Sequence, residues 1–414
     1  MRRICELRMQ LGFTQEFLGQ LVGCERRNIS RYESGLREPD KETLIRIATA
    51  LHTTTDYLLN LSNRPYQQKA PWASFHRDEF RDLYPHDVEK LASIALEIKS
   101  KRKSGGVSEM AFDSLITKII AMQNPTVLGL DPKLDYIPAE LKEEAYAVHG
   151  KTLEGASDAL LRFNKALIDA VYDIVPAVKP QAAYYEMYGW QGVRTLTETI
   201  SYAHSKGMFV IVDGKRGDIG STMEAYADGW LGTTEVEGNL FTPFGGDALT
   251  VNGYLGSDGI EPLIKVCQNQ GKGIFVLAKT SNPSSGELQD EKINDKTVYE
   301  TMASLCDKWG EPLQGKYGYN GVGVVVGATF PEQLIELRRK FPRLFFLIPG
   351  YGAQGGNGSS IAGAFDENGM GAIVNASRSM MCAWQKAPGV GLAEATRAEA
   401  IRMKKDISEA RVRA

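Results

Sequence analysis

The pattern of apolar and polar positions changes twice along the chain. Residues 1 to about 66 carry short amphipathic runs broken by Gly12, Gly23, Gly35 and Pro39, the pattern of a small all-α unit. A polar and aromatic stretch follows, NRPYQQKAPWASFHRDEFRDLYP, with prolines at 65, 71 and 85, and it reads as a linker. Val88, Leu91, Ile94, Leu96 and Ile98 then predict one amphipathic helix, closed by a basic run at 99–103 and by Gly105 and Gly106. The chain thus divides into 1–66, a 67–109 linker with one helix, and 110–414, where MAFDSLITKII would serve as a natural start for a free-standing protein.

From Met110 on, short apolar runs alternate with helical segments. The runs are TVLGLD (126–131), VPAVK (175–179), MFVIVD (208–213), DALTVN (247–252), GIFVLAK (273–279), GVGVVVGA (321–328), LFFLIPG (344–350) and GAIVNAS (371–377). They lack the alternation of a half-exposed strand, so they predict parallel strands covered on both faces. Stretches such as ASDALLRFNKALIDAVYDI and PEQLIELRRKF supply the covering helices. Eight strand–helix units in about 300 residues point to an α/β fold, a (β/α)8 TIM barrel. A doubly wound open sheet uses the same local signals and is the alternative.

Composition narrows the class. The 414 residues are 43% hydrophobic and 24% charged with a formal net charge of -3, which excludes a disordered chain and a basic nucleic-acid coat protein. The five cysteines, 5, 24, 267, 306 and 382, form no C-x-x-C pair. That spacing argues against a disulfide framework or zinc site and predicts a reducing, cytoplasmic setting. No run is long enough for a membrane span, and the basic N-terminus lacks the apolar core of a leader.

In a (β/α)8 barrel the functional groups lie at the C-terminal ends of the strands. Those ends carry Asp131, Lys179, Asp213-x-Lys215-x-x-Asp218, Asn252, Lys279-Thr280-Ser281, Pro349 and Arg378. Any one of these charges alone reads as a surface ion pair. Three lysines and three acids placed at one mouth by an independent rule predict a site of interleaved charge, an arrangement that shifts pKa values and acts on developing charge. The segment GYGAQG (350–355) also matches the dinucleotide fingerprint, but the next strand ends in Asn375, Ser377 and Arg378 where that reading wants an acid. Its place after the seventh strand predicts a phosphate-gripping loop instead.

The set GLDP (129–132), VKPQ (178–181), DGKRGDIGST (213–222), TVNGYLG (250–256), TSNPSSG (280–286), PGYGAQGG (349–356) and NASRS (375–379) resembles orotidine 5′-phosphate decarboxylase, most of all the longer bacterial subgroup of that family. The resemblance covers essentially all of 110–414. It implies decarboxylation of orotidine 5′-monophosphate to UMP without cofactor or metal. Lys215 would stabilise the C6 carbanion and protonate it, and Asp213 would face the substrate carboxylate. Lys179 would bridge Asp213 and the ribose, and Asp131 would take ribose hydroxyls. Asp218 and Thr222 would reach into a neighbouring subunit's site, making the active unit a homodimer. Ser281 would bind the pyrimidine, Pro349 would line the same substrate site, and Gln354 and Arg378 would grip the phosphate. The rival within the superfamily is a metal-dependent lyase or synthase; Lys179, where those relatives carry an acid, argues against it.

The segment FTQEFLGQLVGCERRNISRYESGLREP (13–39) resembles the Cro/repressor type of helix-turn-helix, over about residues 1–66. The resemblance implies a second helix from Thr14-Gln15, a turn at Gly23 and a recognition helix from about Glu25 to Glu33 with Ile29 inward. Gln15, Arg26, Arg27, Asn28 and Arg31 would meet DNA, since Arg and Asn read guanine and adenine edges. Gly19 departs from the alanine usual in that family, and Glu25 from a capping serine. Ten Lys and Arg against eight Asp and Glu leave 1–66 with a net charge of only +2. Three combinations follow: an active decarboxylase with an appended DNA-binding module, a regulator that uses the barrel as a nucleotide sensor, or an uncoupled fusion of the two. The second predicts damage to the catalytic set, and none is present.

Overall fold

The computed structural model describes residues 2–11, 13–51, 53–59, 110–352 and 355–413. They belong to two compact units, divided at Gly106 and Val107. The expected linker helix and Gln354 lie outside the described residues.

Among the described residues the first unit has five helices: α1 (Arg2–Gln10), α2 (Gln15–Val22), α3 (Arg26–Ser34), α4 (Lys41–Ala50) and α5 (Thr55–Leu58). Their apolar stripes meet in one core of Ile4, Leu7, Leu18, Val22, Ile29, Leu44, Ile47 and Leu51. Thr14 caps α2 by accepting from the Phe17 amide, and Gly23, with φ 69°, stops that helix in the left-handed conformation. These two residues set the α2–α3 turn that the sequence predicts. Glu25 opens α3 without a side-chain cap. Gly19 has a reason to be small: a Cβ there would sit 2.6 Å from the Cys24 carbonyl oxygen.

The second unit is a closed barrel of eight parallel strands in chain order: β1 (Thr126–Leu130), β2 (Ala177–Pro180), β3 (Phe209–Arg216), β4 (Ala248–Val251), β5 (Gly273–Lys279), β6 (Val322–Val326), β7 (Phe346–Ile348) and β8 (Ala372–Ala376). β8 returns to β1 with Thr126 opposite Val374, which closes the ring and removes the open-sheet alternative. All eight runs read from the sequence become strands. Two short antiparallel hairpins, 234–241 and 292–297, were not anticipated.

Helix α6 (Ala111–Met122) precedes β1 and is not part of the repeat. Its Phe112 packs on Phe275 and Phe345, with ring centroids 4.7 and 5.3 Å away. It shares a cluster with Val127, Ala177, Phe209, Ile211, Ala248 and Ile373. These are inward positions of the strands, so α6 caps the barrel interior from the strands' N-terminal end, where a Cβ at Gly273, the first residue of β5, would sit 2.8 Å from Phe112 Cε1. Burying one such phenyl ring is worth about 1.5–3 kcal/mol. The larger cluster lies between strands and surrounding helices, for example Val178, Val210 and Leu249 against Phe163, Leu196 and Leu263.

Candidate active site

The inward parity of each strand decides which end residue reaches the interior. Phe209 and Ile211 point inward on β3, so Asp213 does too. The ladder with β4 then breaks: Val212 pairs with Leu249 but Arg216 with Val251. Three residues of β3, Asp213 to Lys215, thus stand against Thr250 alone. Lys215 takes a left-handed backbone, φ 46°, rare outside glycine. This bulge lets both Asp213 and Lys215 face one cavity.

That cavity, about 700 Å³, is lined by Asp131, Lys179, Asp213, Lys215, Ser281, Pro349 and Arg378 among others. Lys179 Nζ donates to Asp213 Oδ2 at 2.5 Å, and Lys215 Nζ donates to Asp213 Oδ1 at 2.6 Å. Thr250 Oγ1 also donates to Oδ1, at 2.8 Å. Burial alone would push the Asp213 carboxyl up, but the two ammonium groups override it and hold it far below the usual carboxylate range. Lys179 is fully buried, which alone would lower it; the charges of Asp213 and Asp131 raise it above the ordinary lysine value. Asp131 differs. Burial raises its carboxyl, and the pull of Lys179 is opposed by the charge of Asp213.

The mouth between β8 and β1 is built by absence. A Cβ at Gly129 would lie 2.0 Å from Ser377 Oγ and 2.7 Å from Asn375 Oδ1. Only glycine leaves β1 room for the polar end of β8. Asp131 Oδ1 and Asn375 Oδ1 are both buried without a hydrogen-bond partner. Buried acceptors in that state are costly unless something fills them, and here they border the cavity. Between β7 and β8, Gly350, Gly352 and Gly355 all have positive φ, 96°, 73° and 94°. Tyr351 ties this loop to the last helix by donating to Asp406 Oδ2 at 2.6 Å.

Not every strand-end residue joins the site. Lys279 is turned the other way: it is fully buried behind β5 and donates to Asp290 Oδ1 at 2.7 Å and to Ser285 Oγ at 3.2 Å. The reason is a bulge in β5, where Leu277 and Lys279 pair with consecutive residues of β6 and parity is lost. The expectation of three lysines at the mouth is therefore corrected to two. Asn252 also stays out, its Oδ1 accepting from the Tyr254 amide at 3.0 Å. Asp218 and Thr222 follow the cavity-lining segment but line no part of it; Asp218 accepts from the Ile219 amide, and Thr222 is exposed. Thr250, Tyr184, Gln289 and Asn375 line the cavity and were not singled out from the sequence. Thr250 had a readable signal, a polar residue two after the inward Ala248.

In the helical unit, Arg26, Arg27 and Arg31 are exposed along α3, and Asn28 is half-buried. Arg27 pairs with Glu25 at 2.8 Å. The Gln15 amide is committed to Glu33 Oε2 at 2.8 Å, and Arg8 grips the same carboxylate at 2.5 and 3.1 Å. Burial would raise Glu33, but the Arg8 and Gln15 bonds hold it below its ordinary value. Among the described residues no group of three His, Cys, Asp or Glu side chains is arranged to hold a metal ion, and no helix is long and apolar enough to cross a membrane.

Comparison with known proteins agrees with both halves. The family described as orotidine 5′-phosphate decarboxylase / HUMPS matches residues 151–385, and a helix-turn-helix family matches residues 5–58. Over 268 residues the chain is 46% identical to an orotidine 5′-phosphate decarboxylase of Rhodopirellula baltica, spanning 65% of this chain and 87% of that protein. It is 38% identical over 303 residues to the Clostridium perfringens enzyme of the same name, spanning 73% of this chain and 99% of that one. The solved structure of Leishmania donovani OMP decarboxylase superposes with a TM-score of 0.55 at 30% identity, over 74% of this chain and 100% of that one. The chain belongs to the orotidine 5′-phosphate decarboxylase family and carries a helix-turn-helix segment ahead of its barrel.

Proposed function

We propose that the barrel decarboxylates orotidine 5′-monophosphate to UMP and CO2, a step of pyrimidine nucleotide synthesis, with no cofactor. The observation that carries this reading is the Lys179–Asp213–Lys215 array lining the cavity, with Lys179 and Asp213 buried and Lys215 open to it. Its charges are fixed before substrate arrives, so they cost no reorganisation as charge develops. As the bond from C6 to the carboxylate breaks, CO2 departs and its electron pair stays on C6. The Lys215 ammonium stabilises that carbanion and then gives it a proton, which completes UMP. Lys215 is 45% exposed along its side chain, so solvent can return the proton. Asp213 faces the substrate carboxylate and holds Lys215, and Lys179 holds Asp213 from behind.

Asp131 takes ribose hydroxyls, which would fill its partnerless oxygen. Ser281 meets the pyrimidine beside Pro349, and Arg378 with Gln354 grips the phosphate near the Gly350 loop. Asp218 and Thr222 complete a neighbour's cavity in a homodimer; their position outside their own cavity supports this. Free cysteines throughout suit the cytoplasm. The exposed arginines of α3 support DNA binding by the helical unit through Arg26, Arg27, Arg31 and Asn28, with Gln15 better placed to brace Glu33 than to read a base.

The test is loss of orotidine 5′-monophosphate ultraviolet absorbance on the full chain, with and without a chelator. Equal turnover in both is the expected result. No turnover, with UMP still bound, would overturn the enzyme reading in favour of a nucleotide-sensing regulator.

A further inference from the structure

We propose that Thr250 is a positioning residue for the Asp213–Lys215 pair, acting through those two groups. This rests on the decarboxylase reading above. Thr250 is buried, 1% exposed, and sits where one residue of β4 faces three of β3. A hydroxyl has one proton and two lone pairs. Here the proton goes to Asp213 Oδ1 at 2.8 Å, and a lone pair receives the Lys215 amide at 3.0 Å. The two bonds fix each other's direction: the amide can only donate, so the hydroxyl proton is left for the carboxylate.

Each bond has its own consequence. Oδ1 receives both the Thr250 hydroxyl and Lys215 Nζ, while Oδ2 receives Lys179. The carboxylate plane is thereby held from three sides. The amide bond secures Lys215 in the left-handed backbone it adopts at φ 46°. In that conformation, two residues past Asp213, the Lys215 side chain turns back to the same carboxylate. An apolar strand residue of equal shape would keep the wall of the cavity and lose both restraints. Lys215 would then sample positions away from the reacting carbon, and a small displacement of a catalytic group costs orders of magnitude in rate.

The experiment compares Thr250→Val, which keeps the shape, with Thr250→Ser, which keeps the hydroxyl. In T250V we expect kcat to fall about ten- to hundredfold, with KM and UMP affinity within about threefold. Amide hydrogen exchange over 213–218 should quicken at Lys215. T250S should stay within about threefold of the parent in all four measurements. A T250V protein with parental kcat overturns the inference, as does a folded T250S as slow as T250V. A loss confined to KM and UMP affinity overturns it too, since it would make Thr250 a substrate contact. Inactivity of the parent protein sinks the decarboxylase reading instead, and the exchange comparison still decides whether Thr250 secures the Lys215 backbone.

Discussion

Lys215 and Lys279 stand at the ends of apolar barrel strands, each close to one aspartate, and from the sequence they look alike. The structure puts them in opposite environments. Lys215 faces the cavity beside Asp213, with Asp131 and Asn375 nearby, each keeping a buried oxygen that no protein group satisfies. Lys279 lies behind its strand with Asp290, Ser285 and the face of Phe330, its ammonium 4.4 Å from the ring centre. One network is incomplete without a ligand; the other is complete as it stands. A fold spends stability at its site and recovers it elsewhere, so incompleteness, more than charge, marks the functional network.

The largest effect that could break this contrast is Lys215→Ala. On the proposed mechanism Lys215 supplies both electrostatic stabilisation and the proton, so its removal should cut turnover at least about 10⁴-fold while UMP still binds. Steady-state assays and a UMP titration check this. Near-parental turnover would erase the distinction between the two lysines.

Lys279→Met is the matching test on the other side. The aliphatic stem is kept, and Asp290, 49% exposed, can turn to water. Turnover should remain within about tenfold of the parent, and the melting temperature should move by about 5 °C or less. Loss of activity on the scale of K215A would mean that the two networks act as one.

How much of this was legible beforehand follows from the same pair. Eight strands could be read because each is covered on both faces and so forms an unbroken apolar run; Val322–Val326 is buried throughout. Asp213 and Lys179 could be placed because their strands keep parity as far as those residues. Lys279 could not, because one extra residue in β5 reverses its direction and leaves no mark in GIFVLAK. Thr250 passed as an ordinary strand residue, since its importance comes from a bulge in the neighbouring strand. The role of α6 as a cap on the barrel interior was hidden for a different reason: an amphipathic pattern tells that a face is buried, but not against what. In the helical unit, α2 and α3 were legible from Thr14 and Gly23, whereas the capture of Gln15 by Glu33 depends on Arg8, seven residues upstream.

The smallest effect sharpens the contrast most, because it tests incompleteness as free energy. Burial pushes the Asp131 carboxyl above its ordinary value, the pull of Lys179 notwithstanding. A raised carboxylate binds its proton more tightly in the folded chain than in the unfolded one. Folding is therefore favoured below the unfolded value, about 3.9, and loses that advantage as pH rises through the folded value. Above the folded value that advantage is gone, and the ionised carboxyl is a cost the fold carries where the proposed reading puts the ribose. Asp131→Asn removes the charge. It should raise the melting temperature at pH 7 by about 2–4 °C, roughly 1 kcal/mol in a domain of this size, while UMP affinity falls. The gain should shrink as pH falls through the folded value and vanish below the unfolded one, about 3.9, where the parent carboxyl becomes protonated in both states. Paired thermal melts across that range check both the sign and the window. A stability loss at pH 7 would mean that Asp131 is a satisfied structural acid like Asp290, and the contrast between the two networks would fall with it.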